Sequence, residues 1–281
     1  MKLFGPKDIK LFVKSILFSK QKELENKIVL DIPAGSGYST SILKEMNAKV
    51  EAYDLFPDFF KVDGMECRYA DLSKELPIEN GYADYILCQE GIEHLSDQYF
   101  LLKEFNRVLK KNGRLLITTP NASKLRNRVS HFWGESDYLY KSMPSNEIDS
   151  VWFSDKDETS IYFGHIFLIG IQKLRVLSKL TGFKIKKVYH TRINHTSLLL
   201  LIFTYPFILI VNVLAYLRAM KQHKDLDNSF KKSIYFELLK FSIDPRILLD
   251  GHLVVEFEKE FESSEVNKQL NNKYKSCDIV T

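Results

Sequence analysis

A chain of 281 residues, 45% apolar and 27% charged, can bury a sizeable core and is not a disordered polymer. Its net charge of +4 is small for this length, which argues against a dedicated nucleic-acid binder and is compatible with contact to an anionic membrane surface. Three scattered cysteines, Cys67, Cys88 and Cys277, exclude a disulfide framework and a cysteine zinc site, and fit a reducing compartment.

Lysines interrupt the apolar run of MKLFGPKDIKLFVKSILFSK, and no small-residue cleavage site follows, so residues 1–26 read as an amphipathic helical segment and not as a signal peptide. From Lys27 to about Thr119, short apolar runs alternate with amphipathic stretches, the pattern of parallel strands joined by crossover helices. Strands are predicted at Lys27–Ile32, Lys49–Asp54, Glu66–Tyr69, Ala83–Cys88 and Arg114–Thr119, with a helix at Ser39–Met46. A second helix at Asp97–Leu109 gathers Phe100, Leu101, Phe105, Val108 and Leu109 on one face, with Ser96 as its cap and Gly113 past its end. After Pro120 the pattern breaks into a polar and aromatic stretch with His131, Trp133, Tyr138, Tyr140 and Trp152. Regularity returns with a helix near Gly170–Leu180, an alternating strand at Lys184–Thr191 and a last strand at His252–Glu258. Between these strands lies Arg192–Leu249, which contains Ser197–Leu217, 21 residues without a charge. The polar segment after Ser263 is expected to fray.

The chemistry is concentrated where the first four strands end. The first runs through Val29-Leu30-Asp31-Ile32-Pro33-Ala34-Gly35-Ser36-Gly37 into a helix, and glycine lets backbone turn sharply and approach a ligand. By itself a Gly-x-Gly turn is equally at home without a ligand. The second strand, however, ends in Asp54, 17 residues after Gly37, where a carboxylate can accept from both ribose hydroxyls. At the end of the third, Asp71 can accept from an adenine amino group while Leu55 and Leu72 pack on the ring, and the fourth leads into Cys88-Gln89-Glu90-Gly91-Ile92-Glu93-His94-Leu95. A nicotinamide-binding fold is the nearest competitor, but the third glycine of its fingerprint is here Thr40.

This run resembles the class I S-adenosylmethionine-dependent methyltransferases, with their D-x-G-x-G-x-G and E-x-x-E-H-L layout, over residues 27–120, and again at Gly164-His165, Leu174–Phe183 and the last two strands. The resemblance implies an α/β, Rossmann-like sheet of seven mostly parallel strands with an antiparallel last strand, and helical insertions at the C-terminal edge of the sheet. It implies S-adenosylmethionine as cofactor, with Asp31, Ala34, Gly35 and Gly37 bordering the methionine portion, Asp54 on the ribose and Asp71 with Leu72 on adenine. Cys88 and Gln89 would form the floor beneath it. Pro33 stands where many members have the first glycine, so that position must be neither left-handed nor a hydrogen-bond donor. The methyltransferase domain then comprises 27–191 and 250–262 with a lid insertion at 121–163, followed in space by a hydrophobic helical insertion at 192–249 and a polar tail at 263–281.

Methyl transfer from a sulfonium demands mainly an in-line acceptor, and a hydroxyl acceptor also benefits from a base. His94 is the best-placed base, with Glu93 as an alternative or as its orienting partner; a purely structural role for the pair is as well supported. Glu90, Glu93 and His94, with His165 or His131 as a further ligand, also suit a hard divalent cation, but no complete ligand set is visible and no metal is expected. Because the sixth strand should run parallel to its neighbours, both insertions should leave from the ligand-binding edge and surround the acceptor pocket. A single membrane span through 197–217 would separate two strands of one sheet, and Pro206 favours a break or kink. A helical hairpin packed on the domain, a homodimer interface or an element dipping into a membrane are the remaining readings. The expected function is O-methylation of a small-molecule, glycan or lipid-linked acceptor in the cytoplasm, near the inner membrane face. A quinone or lipid O-methyltransferase and a non-catalytic membrane adaptor are the alternatives, and no nucleic-acid partner is expected.

Overall fold

The computed structural model describes residues 8–137, 143–152, 161–224 and 226–274. The N-terminal segment forms α1 (Ile9–Ser19), capped by the Asp8 carboxylate, with Val13, Ile16 and Leu17 as its buried stripe. A turn of helix, α2 (Gln21–Leu24), leads to β1 (Ile28–Asp31), α3 (Tyr38–Glu45), β2 (Lys49–Asp54), β3 (Cys67–Tyr69) and β4 (Ala83–Gln89). Next come α4 (Gln98–Val108), β5 (Leu109–Pro120), α5 (Leu125–Gly134) and two short strands, β6 (Val151–Trp152) and β7 (Tyr162–Phe163). The chain continues through α6 (Ile171–Leu180), β8 (Phe183–Tyr189), α7 (His195–Lys221), α8 (Asn228–Ile243), α9 (Pro245–Leu249), β9 (His252–Lys259) and α10 (Ser263–Tyr274).

Seven strands form one sheet in the order β3-β2-β1-β4-β5-β9-β8, and β6 pairs with β7 in a separate ribbon. Pairing is parallel from β3 through β5, while β9 is antiparallel to both β5 and β8. This is the expected Rossmann-like architecture. The sixth strand of the sheet in chain order, β8, shares the direction of β5, and it pairs with the antiparallel last strand, β9, as expected.

Alternation along the strands divides the apolar residues between two cores. Leu30, Ile86, Cys88 and Ile117 pack on one face with α4 and α6; Val29, Tyr85, Leu87 and Leu116 pack on the other with α1 and α3. The first helix is fastened to the sheet by a buried ion pair between Lys20 and Glu256 at 2.6 Å, to which the Tyr189 hydroxyl also donates.

Local expectations needed four adjustments. Asp97, not Ser96, caps α4, its charged carboxylate accepting from the Phe100 amide at 2.8 Å. Gly113 lies inside β5, because that strand begins at Leu109, paired with Ala83. Pro206 does not break α7: the helix runs unbroken for 27 residues, and the proline is exposed, where one lost backbone bond is tolerated between turns that keep theirs. The polar tail does not fray at Ser263 but forms α10, because the Ser263 amide donates to Asn106 and Val266 is buried. Cys277 and the remaining tail, like Tyr138 and Tyr140 of the lid, lie outside the described residues.

Candidate functional site

The C-terminal ends of β1, β2, β3 and β4 open onto a cavity of about 670 Å³, roofed by Trp152, Ile161, Tyr162 and Phe163 of the β6–β7 ribbon. The turn after β1 is held by backbone bonds: the Ala34 amide donates to Tyr53 carbonyl and the Gly37 amide to Ala34 carbonyl, both at 2.9 Å. Gly35 has a φ of +53°, and a Cβ built there would meet no protein atom within 4 Å, so only its hydrogen keeps that part of the cavity open. The Asp54 carboxylate anchors the turn, accepting from the Gly35 amide and the Phe56 amide at 2.8 Å each. Each oxygen retains a lone pair, so the same group can accept from a ligand's hydroxyls.

Asp71 accepts from the Ser73 amide and hydroxyl and pairs with Lys74 at 3.0 Å; burial raises its pKa, but these partners outweigh it and leave the carboxylate below its usual range. Asp31 is deeper. Burial pushes it up to about 7 despite a hydrogen bond from Thr40. On β4, Gln89 accepts from Ser39 at 3.0 Å, and Glu90, at a left-handed φ of 52°, accepts from Thr118 and faces His252 across 3.6 Å. Burial lifts Glu90 to about 6.

His94 lies at the junction of floor and lid. Its Nδ1 is 2.8 Å from the Phe163 carbonyl. A carbonyl can only accept, so Nδ1 carries the proton and Nε2 presents a lone pair. Burial lowers the pKa of His94, and its ring lies tilted against those of Trp152 and His165, with centroids 4.6 and 4.9 Å away. Beneath it, Glu93 is fully buried, accepts from Thr119 at 2.9 Å through one oxygen and, among the described residues, has no partner on the other. Burial, then the charge of Glu90, pushes Glu93 up to about 8, so it is protonated near neutrality. Ligand atoms of Glu93, His94 and His165 lie within 4.8 Å of one another, a donor set that a divalent cation could use.

A family profile described as a methyltransferase domain matches residues 7–188, more than half of the sequence. The chain belongs to this methyltransferase-domain family. The ubiquinone biosynthesis O-methyltransferases of Xanthomonas euvesicatoria and Pelagibacter ubique are each 30% identical to it, over 115 and 133 residues, covering 37% and 45% of this chain. The matched segments span 47% and 55% of those relatives, about half their length. An S-adenosylmethionine-dependent methyltransferase from Archaeoglobus fulgidus shares the fold at a TM-score of 0.52, with 16% identity over 89% of this chain and 94% of that one. The cavity of this methyltransferase fits the cofactor: an open glycine beside the β1 turn, an acceptor carboxylate at the end of β2 and another at the end of β3.

Of the residues singled out in the sequence, Asp31, Ala34, Gly35, Asp54, Leu55, Asp71, Leu72, Gln89 and His94 all line this cavity. Three do not. Gly37, at φ +84°, is required because a Cβ there would overlap Val62 and Phe60, so its need is packing behind the turn. Cys88 is sealed in the core, since alternation along β4 turns it away from the ligand edge while Gln89 faces it. Glu93 is buried under the floor, and the orienting of His94 falls to the Phe163 carbonyl. His131 lies on the exposed side of α5, paired with Asp137. Sequence reasoning missed Gly91. A Cβ there would lie 2.7 Å from Pro33 Cδ, so the proline at the first-glycine position is accommodated by a glycine on the next strand end. Phe56, Tyr69, Tyr162 and Phe163 were also missed; each follows a strand end or sits in the ribbon, where no period marks it.

Proposed function

We propose that this methyltransferase methylates a hydroxyl oxygen of a small-molecule, glycan or lipid-linked acceptor, with His94 as the base. The observation that carries this reading is the fixed tautomer of His94, whose Nδ1 proton is held by the Phe163 carbonyl under a lid rich in aromatic rings. Bound S-adenosylmethionine supplies an activated methyl group on a sulfonium that is already a good leaving group. The chain must hold the acceptor oxygen in line and take its proton, which it would do at Nε2 of His94. In this reading Gly35, Ala34 and Asp31 border the methionine portion of the cofactor, Asp54 accepts from the ribose hydroxyls, and Asp71 with Leu72 holds adenine. The O-methyltransferase activity of the ubiquinone-pathway relatives supports oxygen as the acceptor atom and makes a quinone-derived phenol one acceptor class. A cytoplasmic enzyme working peripherally at a membrane fits the basic, apolar insertion. A non-catalytic adaptor is disfavoured, because it has no use for an open glycine and two acceptor carboxylates around one cavity.

His94→Ala is expected to lower turnover by about 10²–10⁴-fold with cofactor affinity unchanged. Because burial holds His94 below the usual histidine range, the wild-type rate should fall only as pH drops below that range, and this acid limb should vanish in the variant. The assay is methyl-labelled cofactor with a lipid and glycan extract, read by product mass. Weakened cofactor binding with undiminished saturated turnover would overturn the base assignment. Turnover lost to a chelator and restored by Mg²⁺ would transfer the role to a cation on Glu93, His94 and His165.

A further inference from the structure

Helix α7 is long enough, at 27 residues or roughly 40 Å, and apolar enough to cross a membrane, yet nothing in the fold lets it do so. Its partner α8 carries Lys231, Lys232, Glu237 and Lys240 and is bound to the catalytic domain. Glu237 pairs with Arg175 of α6 at 2.5 Å, and Gln172 donates to the Leu238 carbonyl and to Ser242 at 2.8 and 2.9 Å. The tip of the hairpin is closed by buried Lys231, which donates to the Met220 and Gln222 carbonyls, and Tyr205 donates to the Ile243 carbonyl at the other end. Helix α7 therefore lies along α8, on the domain's side of any bilayer.

Among the described residues, nothing covers its outer face. Ile202, Phe203, Phe207, Ile210, Val211 and Leu214 follow helical spacing, and Phe203 and Phe207 are 69% and 70% exposed. No charge interrupts residues 197–217, and the exposed bases Arg218, Lys221 and Lys224 follow directly. Charge is divided unevenly as well. Residues 192–249 hold eight Lys and Arg against four Asp and Glu, while the remaining chain holds 32 of each, so the whole net charge of +4 belongs to this insertion. A protein interface needs polar complementarity along its rim, whereas an uncharged face bordered by bases matches the acyl boundary and anionic headgroups of a lipid leaflet. The amphipathic unit is the hairpin, not the single helix.

We propose that the outer face of α7 docks, lying in the plane of the surface, on an anionic lipid leaflet. The helix starts beside a second cavity of about 300 Å³ that includes Phe12, Arg192, His195 and His252 and shares Ile9 with the cofactor cavity, so the docked face adjoins the site. This proposal specifies the membrane contact of the function proposed above, but it is tested without methyl transfer. Purified full-length protein is sedimented with phosphatidylcholine vesicles, with and without 30% phosphatidylglycerol. Wild type is expected to sediment with the anionic vesicles, to be released by alkaline carbonate, and to bind neutral vesicles at least tenfold more weakly. Phe203→Asp with Phe207→Asp should reduce anionic-vesicle binding at least tenfold while the melting temperature and S-adenosylmethionine affinity stay as in wild type. Vesicle binding unchanged in the double variant would overturn the proposal. So would carbonate-resistant insertion, which means a span, or a lipid-free dimer that the double variant dissociates without any vesicle binding by wild type, which means a second copy covers the face.

Discussion

Strands β1, β4 and β5 and helix α7 all carry runs of large apolar side chains, yet these meet solvent in opposite ways. Val29, Leu30, Ile86, Leu87, Leu116 and Ile117 are fully buried, while Phe203 and Phe207 of α7 are among the most exposed large side chains described. A parallel sheet covered on both faces removes both sets of alternating side chains from water, each worth about 1.5–3 kcal/mol relative to exposure. Helix α7 packs chiefly on α8, with further contacts to α5 and α9, and these helices cover one side only. The sheet edge is thus a packed frame around the cavity, whereas the insertion keeps an exposed apolar face. The family profile ends at residue 188, just before that insertion begins.

If the two regions are separate in this sense, damage to the frame should leave the surface intact. Gly35→Val puts a branched side chain into the open space beside the β1 turn, at a φ that valine resists, and is expected to weaken cofactor binding by about 100-fold or more, ~2.7 kcal/mol. Calorimetry with S-adenosylmethionine reads this directly, and vesicle binding should be untouched. Loss of both at once would show that the regions are coupled. Asp54→Ala should cost about 1.5–3 kcal/mol of cofactor affinity, the scale of hydrogen bonds to a charged group, and it also frees the Gly35 and Phe56 amides. Wild-type affinity in both variants would remove the cofactor from this cavity.

The frame was the legible half. Strand ends were readable because the apolar runs stop at Asp31, Asp54, Tyr69 and Gln89, and each stop carries polar chemistry at one edge. What escaped were relations across the edge. Gly37 and Cys88 belong to the right turns but face away from the cavity, and the facing of one residue depends on backbone angles and strand phase that a motif does not record. The pairing of Pro33 with Gly91 joins two strand ends 58 positions apart. The partner of His94 is a main-chain carbonyl, which no side-chain pattern can announce. In the insertion, Pro206 looked decisive as a local signal, but a long uncharged run with α8 alongside outweighs one missing hydrogen bond. Leu200 and Ile208, which look equivalent to their neighbours in sequence, turn out half-covered, so Phe203 and Phe207 are the positions that probe the free face.

The smallest expected effect on the site concerns Glu93, where frame and chemistry are easiest to confuse. Its side chain is sealed beneath the floor and pushed up to about 8, against an ordinary 4.5, by burial and then by Glu90. The folded protein therefore holds a proton that the unfolded chain releases above about pH 4.5, so this residue's contribution to stability is intact below that pH. It is lost progressively as pH rises toward 8. Glu93→Gln keeps the shape of the protonated acid and an acceptor for the Thr119 hydroxyl, but it cannot ionise. The variant should bind cofactor and turn over nearly as wild type, while the wild-type decline in stability between pH 5 and 8 becomes shallower, as read by denaturant unfolding across that range. A fall in turnover like that of His94→Ala, with the stability profile unchanged, would make Glu93 a participant in proton transfer. It would also move the boundary between frame and chemistry one residue deeper than the hydrogen bonds around His94 place it.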